Sequence, residues 1–372
     1  MEMKSRDVRE AMEQQGVAGI EVRPTLGMKD PWFYRNKIQF PIRQQNGHLQ
    51  MGYFRQKTHE VVNIKECYIQ DPYLTEIAQI AREVFEKRGL SAYDEKTGSG
   101  ILRHFIGRSG FTTNEILLGI VINARGLPAG FTVADEIKKR ERLMNRMVNR
   151  HPDYPEFDRK MRIVGIIQNT NTGRGNTILG NLNTTIFGGS HLREKMGGFT
   201  FKVQLGSFLQ VNPLQAERIY NLVEKYCELS GTETVVDAYA GIGPIAFWLS
   251  KSAGSVVGIE ERKGAVKDAN DNIKLNELAN VKMEAGAMET VFPKRADVVV
   301  LDPPRGGCSP KALEVVTRAA PHRIVYVSCC PETMARDIKT LQGSGYRLEI
   351  VQPVDMFPQT DHVEVVAKLS RG

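Results

Sequence analysis

After residue 234 the chain alternates short apolar runs with longer amphipathic stretches. Residues 234–237, 255–260, 281–285, 296–302 and 323–328 have strand length. Residues 244–250, 263–276, 310–319 and 331–343 repeat apolar positions at helical spacing. Two final strands are expected at 347–351 and 362–369. Val298-Val299-Val300-Leu301 has no polar face at all, which marks a strand buried on both sides. Alternation of this kind predicts an α/β domain, an open parallel sheet with helices on both faces. Ligands of such sheets sit at the carboxyl ends of the strands. Asn212 as N-cap and Pro213 in the first turn open the helix leading into this region.

The first half lacks that rhythm. Residues 1–15 read as a polar helix. A turn at 30–34 runs into a strand, Asn46-Gly47 marks a hairpin, and a second strand covers 49–55. Residues 71–87 read as an amphipathic helix and 134–149 as a basic one. Strands are expected at 100–108, 115–123, 162–168, 176–182 and 199–203. The mixture predicts an α+β domain over 1–204, followed by a Rossmann-like domain over 205–372. Around the hairpin, Arg35, Lys37, Arg43, Arg55 and Lys57 are interleaved with Trp32, Phe33, Tyr34, Tyr53 and Phe54. Cations for phosphates and rings for splayed bases suit single-stranded RNA. A solvated hairpin with its aromatics on the core face fits the same pattern.

Bulk properties narrow the classes. The 372 residues are 41% hydrophobic and 25% charged, ordinary for globular domains. A net charge of +7 fits a polyanionic partner. Five scattered cysteines, two of them adjacent, point to a reducing compartment rather than to disulfides. The polar start has no signal-peptide character, and no apolar run approaches the roughly 20 residues that span a bilayer. A cytoplasmic monomer without membrane association is expected.

The strand ends carry the candidate chemistry. Cys329 ends the strand at 323–328, and Pro331 opens a helix beside it, a place where a thiolate is favoured electrostatically. The loop Asp237-Ala238-Tyr239-Ala240-Gly241-Ile242-Gly243 follows the first strand. It lacks the third glycine of a dinucleotide fingerprint, because Pro244 and Ile245 follow, so a smaller nucleoside-type ligand suits it better. Glu260, about 20 residues further, is placed to accept ribose hydroxyls. Asp302-Pro303-Pro304-Arg305 follows the fully apolar strand, and the prolines hold the Asp302 carboxylate over the sheet edge.

Taken with Phe208-Leu209-Gln210-Val211-Asn212-Pro213 and the stretch from Asp355 to Glu364, these motifs resemble the S-adenosylmethionine-dependent RNA uracil-5-methyltransferase family. The likeness extends to Tyr34-Arg35-Asn36-Lys37 and so covers nearly the whole chain. It implies that Gln210, Tyr239, Glu260 and Asp302 bind the methyl donor, that Cys329 is the nucleophile and that Glu364 is the base. The chemistry requires these types. Uracil C5 becomes nucleophilic only after a thiolate adds to C6, and a base must then remove the C5 proton.

Two departures stand out. The family usually has Asn after the nucleophile, where this chain has Cys330, and a thiol cannot replace the amide's donors and acceptor. Many relatives also carry a small β-barrel RNA-binding domain and a cysteine cluster for iron–sulfur. Here Cys67 alone matches a cluster position, and one thiol cannot hold a four-cysteine cluster, so none is expected in this chain. The resemblance to residues 34–40 and 208–213 favours 23S ribosomal RNA as substrate, and the T-loop uridine of transfer RNA is the alternative. A non-catalytic RNA-binding or assembly factor needs neither Cys329 nor Glu364. Methylation of an exocyclic amine needs no cysteine.

Overall fold

In the computed structural model, the alternating strands of the second half form a seven-stranded sheet. Its order is Val281–Ala285, Ser255–Glu260, Thr234–Ala238, Val298–Leu301, Arg323–Ser328, Glu364–Arg371 and Tyr346–Val354. The first five strands are parallel, and the last two join antiparallel. Strand order reverses on either side of Thr234–Ala238, which creates a crevice at the carboxyl ends. This is the expected Rossmann-like arrangement. The structure describes residues 1–17, 20–152, 154 and 157–372. No helix among them is long and apolar enough to cross a membrane.

Two compact units divide the chain. One comprises Met1–Pro31, Met196–Thr200 and Ser207–Gly372, the other Trp32–Lys195 and Phe201–Gly206. The expected single boundary at residue 204 therefore needs correction at the N-terminus. The helix Glu2–Gln14 belongs with the C-terminal sheet. Its polar composition hid two anchors, Val8 and Met12, which are buried in one apolar cluster with Val236, Leu301, Ile324 and Ile338. Burying side chains of this size stabilises by about 1.5–3 kcal/mol each, enough to commit a short polar helix to one neighbour.

The other unit also has a seven-stranded sheet, ordered Val61–Asn63, His48–Phe54, Lys37–Gln45, Leu102–Ser109, Glu115–Ile122, Arg162–Thr170 and Leu182–Gly188. Its strands pair antiparallel except for Glu115–Ile122 with Arg162–Thr170, so this unit is α+β as expected. Three expectations change. The helix over 134–149 is two helices, Gly130–Lys139 and Glu141–Asn149. In the second, Glu141 and Asn145 accept from the backbone N–H groups of Ile163 and Met161, and these bonds turn it toward the sheet. The strand over 176–182 is displaced to Leu182–Gly188. Asn171 donates to the carbonyls of Thr177 and Ile178, and Asn169 binds Gly180, so side chains replace ladder partners there. The strand His191–Met196 escaped prediction because its inward positions include a carboxylate. Glu194 is 1% exposed and accepts from the Phe111 and Thr112 N–H groups.

Candidate active site

The carboxyl ends of the C-terminal sheet enclose a cavity of about 730 Å³. Gln210, Tyr239, Glu260, Asp302, Cys329 and Glu364 all line it, together with Phe208, Tyr220, Arg305, Phe357 and His362. These six residues, spread over 155 positions of sequence, meet because strand ends carrying Tyr239, Glu260, Asp302, Cys329 and Glu364 converge on one rim, with Gln210 added from the segment before the helix Pro213–Cys227.

The donor-side loop is held from within. Tyr239 adopts φ 67°, an uncommon conformation for a bulky residue, and Gly243 adopts φ 90°. A Cβ at Gly243 would lie 2.8 Å from the Phe247 ring, so only glycine fits that turn. Glu260 Oε2 accepts from the Gly241 N–H at 3.1 Å, and its Oε1 accepts from the Arg262 N–H at 2.8 Å. The carboxylate therefore braces the loop and keeps lone pairs for a ligand. Asp237 Oδ2 accepts from the Ala246 N–H at 2.9 Å, while its Oδ1 is buried without a hydrogen-bond partner. Burial and the neighbouring Asp302 push the Asp237 carboxyl well above the usual range.

Three acids of the lining, Asp302, Glu364 and Cys329, influence one another. Burial pushes Asp302 up to about 7, although part of its surface faces the cavity. Glu364, 4% exposed, is pushed up to about 8 by burial and then by the Asp302 charge, with Arg305 acting in the opposite sense. The Cys329 thiol is pushed up to about 11 by burial, Glu364 and Asp302, and Arg305 again opposes. The expectation that strand end and helix N-terminus favour the thiolate is thereby corrected. Two carboxyl groups and partial burial outweigh the dipole of the helix Pro331–Gly343. Cys330 faces elsewhere: its N–H donates to Ser328 Oγ at 3.0 Å and its thiol meets the Glu332 carboxylate at 3.1 Å. It does not line the cavity.

The profile of the tRNA (uracil-5-)-methyltransferase family matches residues 190–371. An RNA methyltransferase of Bacillus cereus is 39% identical over 376 aligned residues, covering 99% of this chain and 78% of that protein. The chain belongs to the RNA uracil-5-methyltransferase family. A further RNA methyltransferase relative, from Listeria monocytogenes, is 38% identical over 99% of this chain and 78% of its own length. Among solved structures, the Pyrococcus abyssi tRNA (uracil-54, C5)-methyltransferase in complex with S-adenosyl-L-homocysteine superposes with a TM-score of 0.78. It is 27% identical and covers 98% of this chain and 82% of its own.

Two groups of this RNA methyltransferase, one in the cavity and one behind it, had no role assigned from sequence. Tyr220 lines the cavity, fully buried, with Asp302, Asp237 and Glu364 as its charged neighbours. It looked like one more apolar position of the helix Pro213–Cys227. Asp337 accepts from the Cys308 N–H at 2.7 Å and from the Tyr326 hydroxyl at 2.6 Å. Arg336 bonds to it and donates to the Gly306 carbonyl at 3.0 Å, so this pair fixes the loop that follows Arg305. In sequence Arg336-Asp337 resembles any charged pair on a helix surface.

Proposed function

We propose that this chain transfers a methyl group from S-adenosylmethionine to C5 of uridine in RNA, with Cys329 as nucleophile and Glu364 as base. One observation carries the reading. A strand-end thiol and two carboxyl groups line the same cavity as a glycine-bearing loop braced by an acid. Binding RNA alone requires no such arrangement.

The residues present fit the donor. Asp237 offers a buried oxygen without a partner, Glu260 retains acceptor capacity, and the cavity lies in the size range of small-molecule sites. Gln210, Tyr239, Glu260 and Asp302 would hold the donor, with Glu260 suited to ribose hydroxyls. When bound, S-adenosylmethionine supplies an electrophilic methyl group and a positive charge beside the three acids.

The chain's own groups account for the rest. Cys329 gives its proton to solvent water, and its Sγ bonds to C6 of uracil. The C5–C6 π pair moves toward the C4 carbonyl, and C5 becomes nucleophilic. C5 takes the methyl group, whose bond to the sulfonium would break to leave a neutral thioether; Glu364 then takes the C5 proton, the double bond re-forms, and the C6–S bond breaks to return the thiolate. The raised position of Glu364 suits a base that must exchange a proton near neutral pH.

For the substrate we favour 23S ribosomal RNA, on the likeness of residues 34–40 and 208–213 to that branch. The N-terminal unit, with Arg35 and Lys37 near Trp32, is proposed to hold the RNA strand. Transfer RNA is the second reading, supported by the likeness to the Pyrococcus abyssi enzyme. Incubation with tritiated methyl donor and separate ribosomal and transfer RNAs, followed by nucleoside mapping, tests both. Label in 5-methyluridine of 23S RNA is expected. Label confined to transfer RNA moves the substrate to the second reading, and any other labelled nucleoside sinks the reaction.

A further inference from the structure

We propose that Lys4, on the N-terminal helix, is a positioning residue for proton removal at C5, acting through the loop that delivers Glu364. The inference rests on the reading of Glu364 as base.

The loop at 355–363 joins the strands Tyr346–Val354 and Glu364–Arg371, and Phe357 and His362 within it line the cavity. Lys4 is 5% exposed. Its ammonium donates to Asp355 Oδ1 at 2.5 Å, to the Phe357 carbonyl at 3.1 Å and to the His362 carbonyl at 2.6 Å. Three donors thus meet three acceptors spread across the whole loop, which is all an ammonium can satisfy. The last acceptor lies two residues before Glu364. Burying a lysine is costly unless it is paired and fully bonded, so a lysine placed here ties the loop down. Asn212 and Gln215 add bonds to the Met356 and Asp355 carbonyls, at 2.9 Å and 2.8 Å, and hold only its first turn. On its other side the N-terminal helix packs against Pro331–Gly343, the helix that begins beyond Cys329, through the cluster containing Val8, Met12 and Ile338. One short helix therefore braces the element after the nucleophile and the loop before the base.

The step it serves follows from this placement. Addition of the thiolate to C6 needs Cys329, whose strand Lys4 does not touch. Abstraction of the C5 proton needs the Glu364 carboxylate aligned within about 3 Å of that proton. Misplacement by about 1 Å costs roughly a hundredfold.

The test compares Lys4→Met, Lys4→Arg, Glu364→Gln and the unaltered chain, all full length. Three readouts are taken: tritium release from C5-tritiated uridine RNA, adduct formation with 5-fluorouridine RNA, and amide hydrogen exchange over 355–364. In Lys4→Met, tritium release is expected to slow roughly ten- to a hundredfold. Adduct with ordinary RNA should accumulate, the 5-fluorouridine adduct should form at the unaltered rate, and exchange across the loop should rise. Lys4→Arg, which keeps the charge, is expected to recover part of the release rate. Equal losses in adduct formation and release, or unchanged exchange in the loop, overturn the proposal. Faster loop exchange with unchanged tritium release overturns it as well. Glu364→Gln reads the underlying assignment separately: if it releases tritium normally, that assignment fails whatever Lys4→Met does.

Discussion

The two units differ in the groups that burial shifts at their central strands. Both bury acids and bases, with Lys4 and Lys368 in the C-terminal unit and Asp71 and Glu194 in the N-terminal one. At the cavity of the C-terminal unit burial lifts Asp302 to about 7, Glu364 to about 8 and the Cys329 thiol to about 11. On the strands Lys37–Gln45 and Leu102–Ser109 of the N-terminal unit the shifted groups are bases. Burial, with Arg108 and Arg35 nearby, lowers Lys37 to about 7, and burial lowers His104 to about 4 and Arg108 to about 10. Acids that retain their protons are relieved by a nearby cation, and a lysine that sheds its own near neutral pH, as Lys37 does, is relieved by an anion. The sulfonium of a methyl donor and the phosphates of RNA are a cation and a polyanion. Each unit thus holds a charge demand that one of the two proposed ligands answers.

The largest effect belongs to the thiol. Cys329→Ala is expected to abolish both methyl transfer and the covalent adduct with 5-fluorouridine RNA, while Cys330→Ala retains the adduct. Denaturing gel shift of labelled RNA reads both, and the reverse pattern assigns the attack to Cys330. Glu364→Gln comes next. Loss of a general base typically costs 10²–10⁴-fold, and the adduct with ordinary RNA is expected to persist.

The same substitution has an opposite effect on stability. Glu364 is raised in the folded chain, so its ionisation opposes folding as pH climbs from about 4.5 to about 8. Below that window both states are protonated and nothing is gained. Glu364→Gln is therefore expected to raise the thermal midpoint at pH 8.5, by a free energy on the order of 5 kcal/mol, and to leave it unchanged at pH 4. Calorimetry at the two pH values checks this. A midpoint that shifts equally at both would mean that packing, not charge, sets the effect.

How far these features were legible depends on what each residue displays in sequence. The parallel sheet was legible because Val298-Val299-Val300-Leu301 and its neighbours are apolar on both faces, and Gly243 and the paired prolines mark turns by their own covalent limits. The strand His191–Met196 was not, since Glu194 occupies an inward position and its hydrogen bonds come from residues about 80 positions away. The residues that line the cavity were legible by type and, Gln210 apart, by their place at strand ends. Their electrostatics were not: that the Cys329 thiol is raised follows first from its burial, then from Glu364, 35 positions later, and from Asp302. Lys4 and Asp337 carry no local mark, because charged residues on polar helix faces look alike until the partner is known.

A smaller effect sharpens the acid side of the comparison. A cation placed among the three acids should lower the Cys329 pKa. Iodoacetamide labelling of a Cys330→Ala chain is expected to titrate near 11 without ligand. With sinefungin, which carries an ammonium in place of the sulfonium, it should titrate about one unit or more lower. With the uncharged thioether S-adenosylhomocysteine the shift should be smaller. Equal shifts with both would tie the change to shape rather than charge.

The smallest effect tests the basic side. Lys37 is lowered first by burial and then by two arginines, so its protonated form is disfavoured in the fold and returns near pH 7. A phosphate beside it restores the charged form, and binding then takes up a proton wherever the free side chain is neutral. RNA affinity is expected to hold steady from pH 5.5 to 6.5 and to fall about five- to tenfold from pH 7 to 8.5. In Lys37→Met the slope should vanish, and affinity at pH 6 should drop about three- to tenfold, the scale of one phosphate contact in moderate salt. Stability moves the other way. The lysine opposes folding increasingly as pH falls from about 10.5 to about 7, so Lys37→Met should be more stable than the unaltered chain at pH 6 and gain nothing at pH 10.5. Fluorescence anisotropy with a short unstructured RNA and thermal melts at the two pH values read the two halves independently. A pH slope that survives in Lys37→Met while its stability rises would leave Lys37 a buried base with no RNA to answer it, and the symmetry between the two units would fail on that side alone.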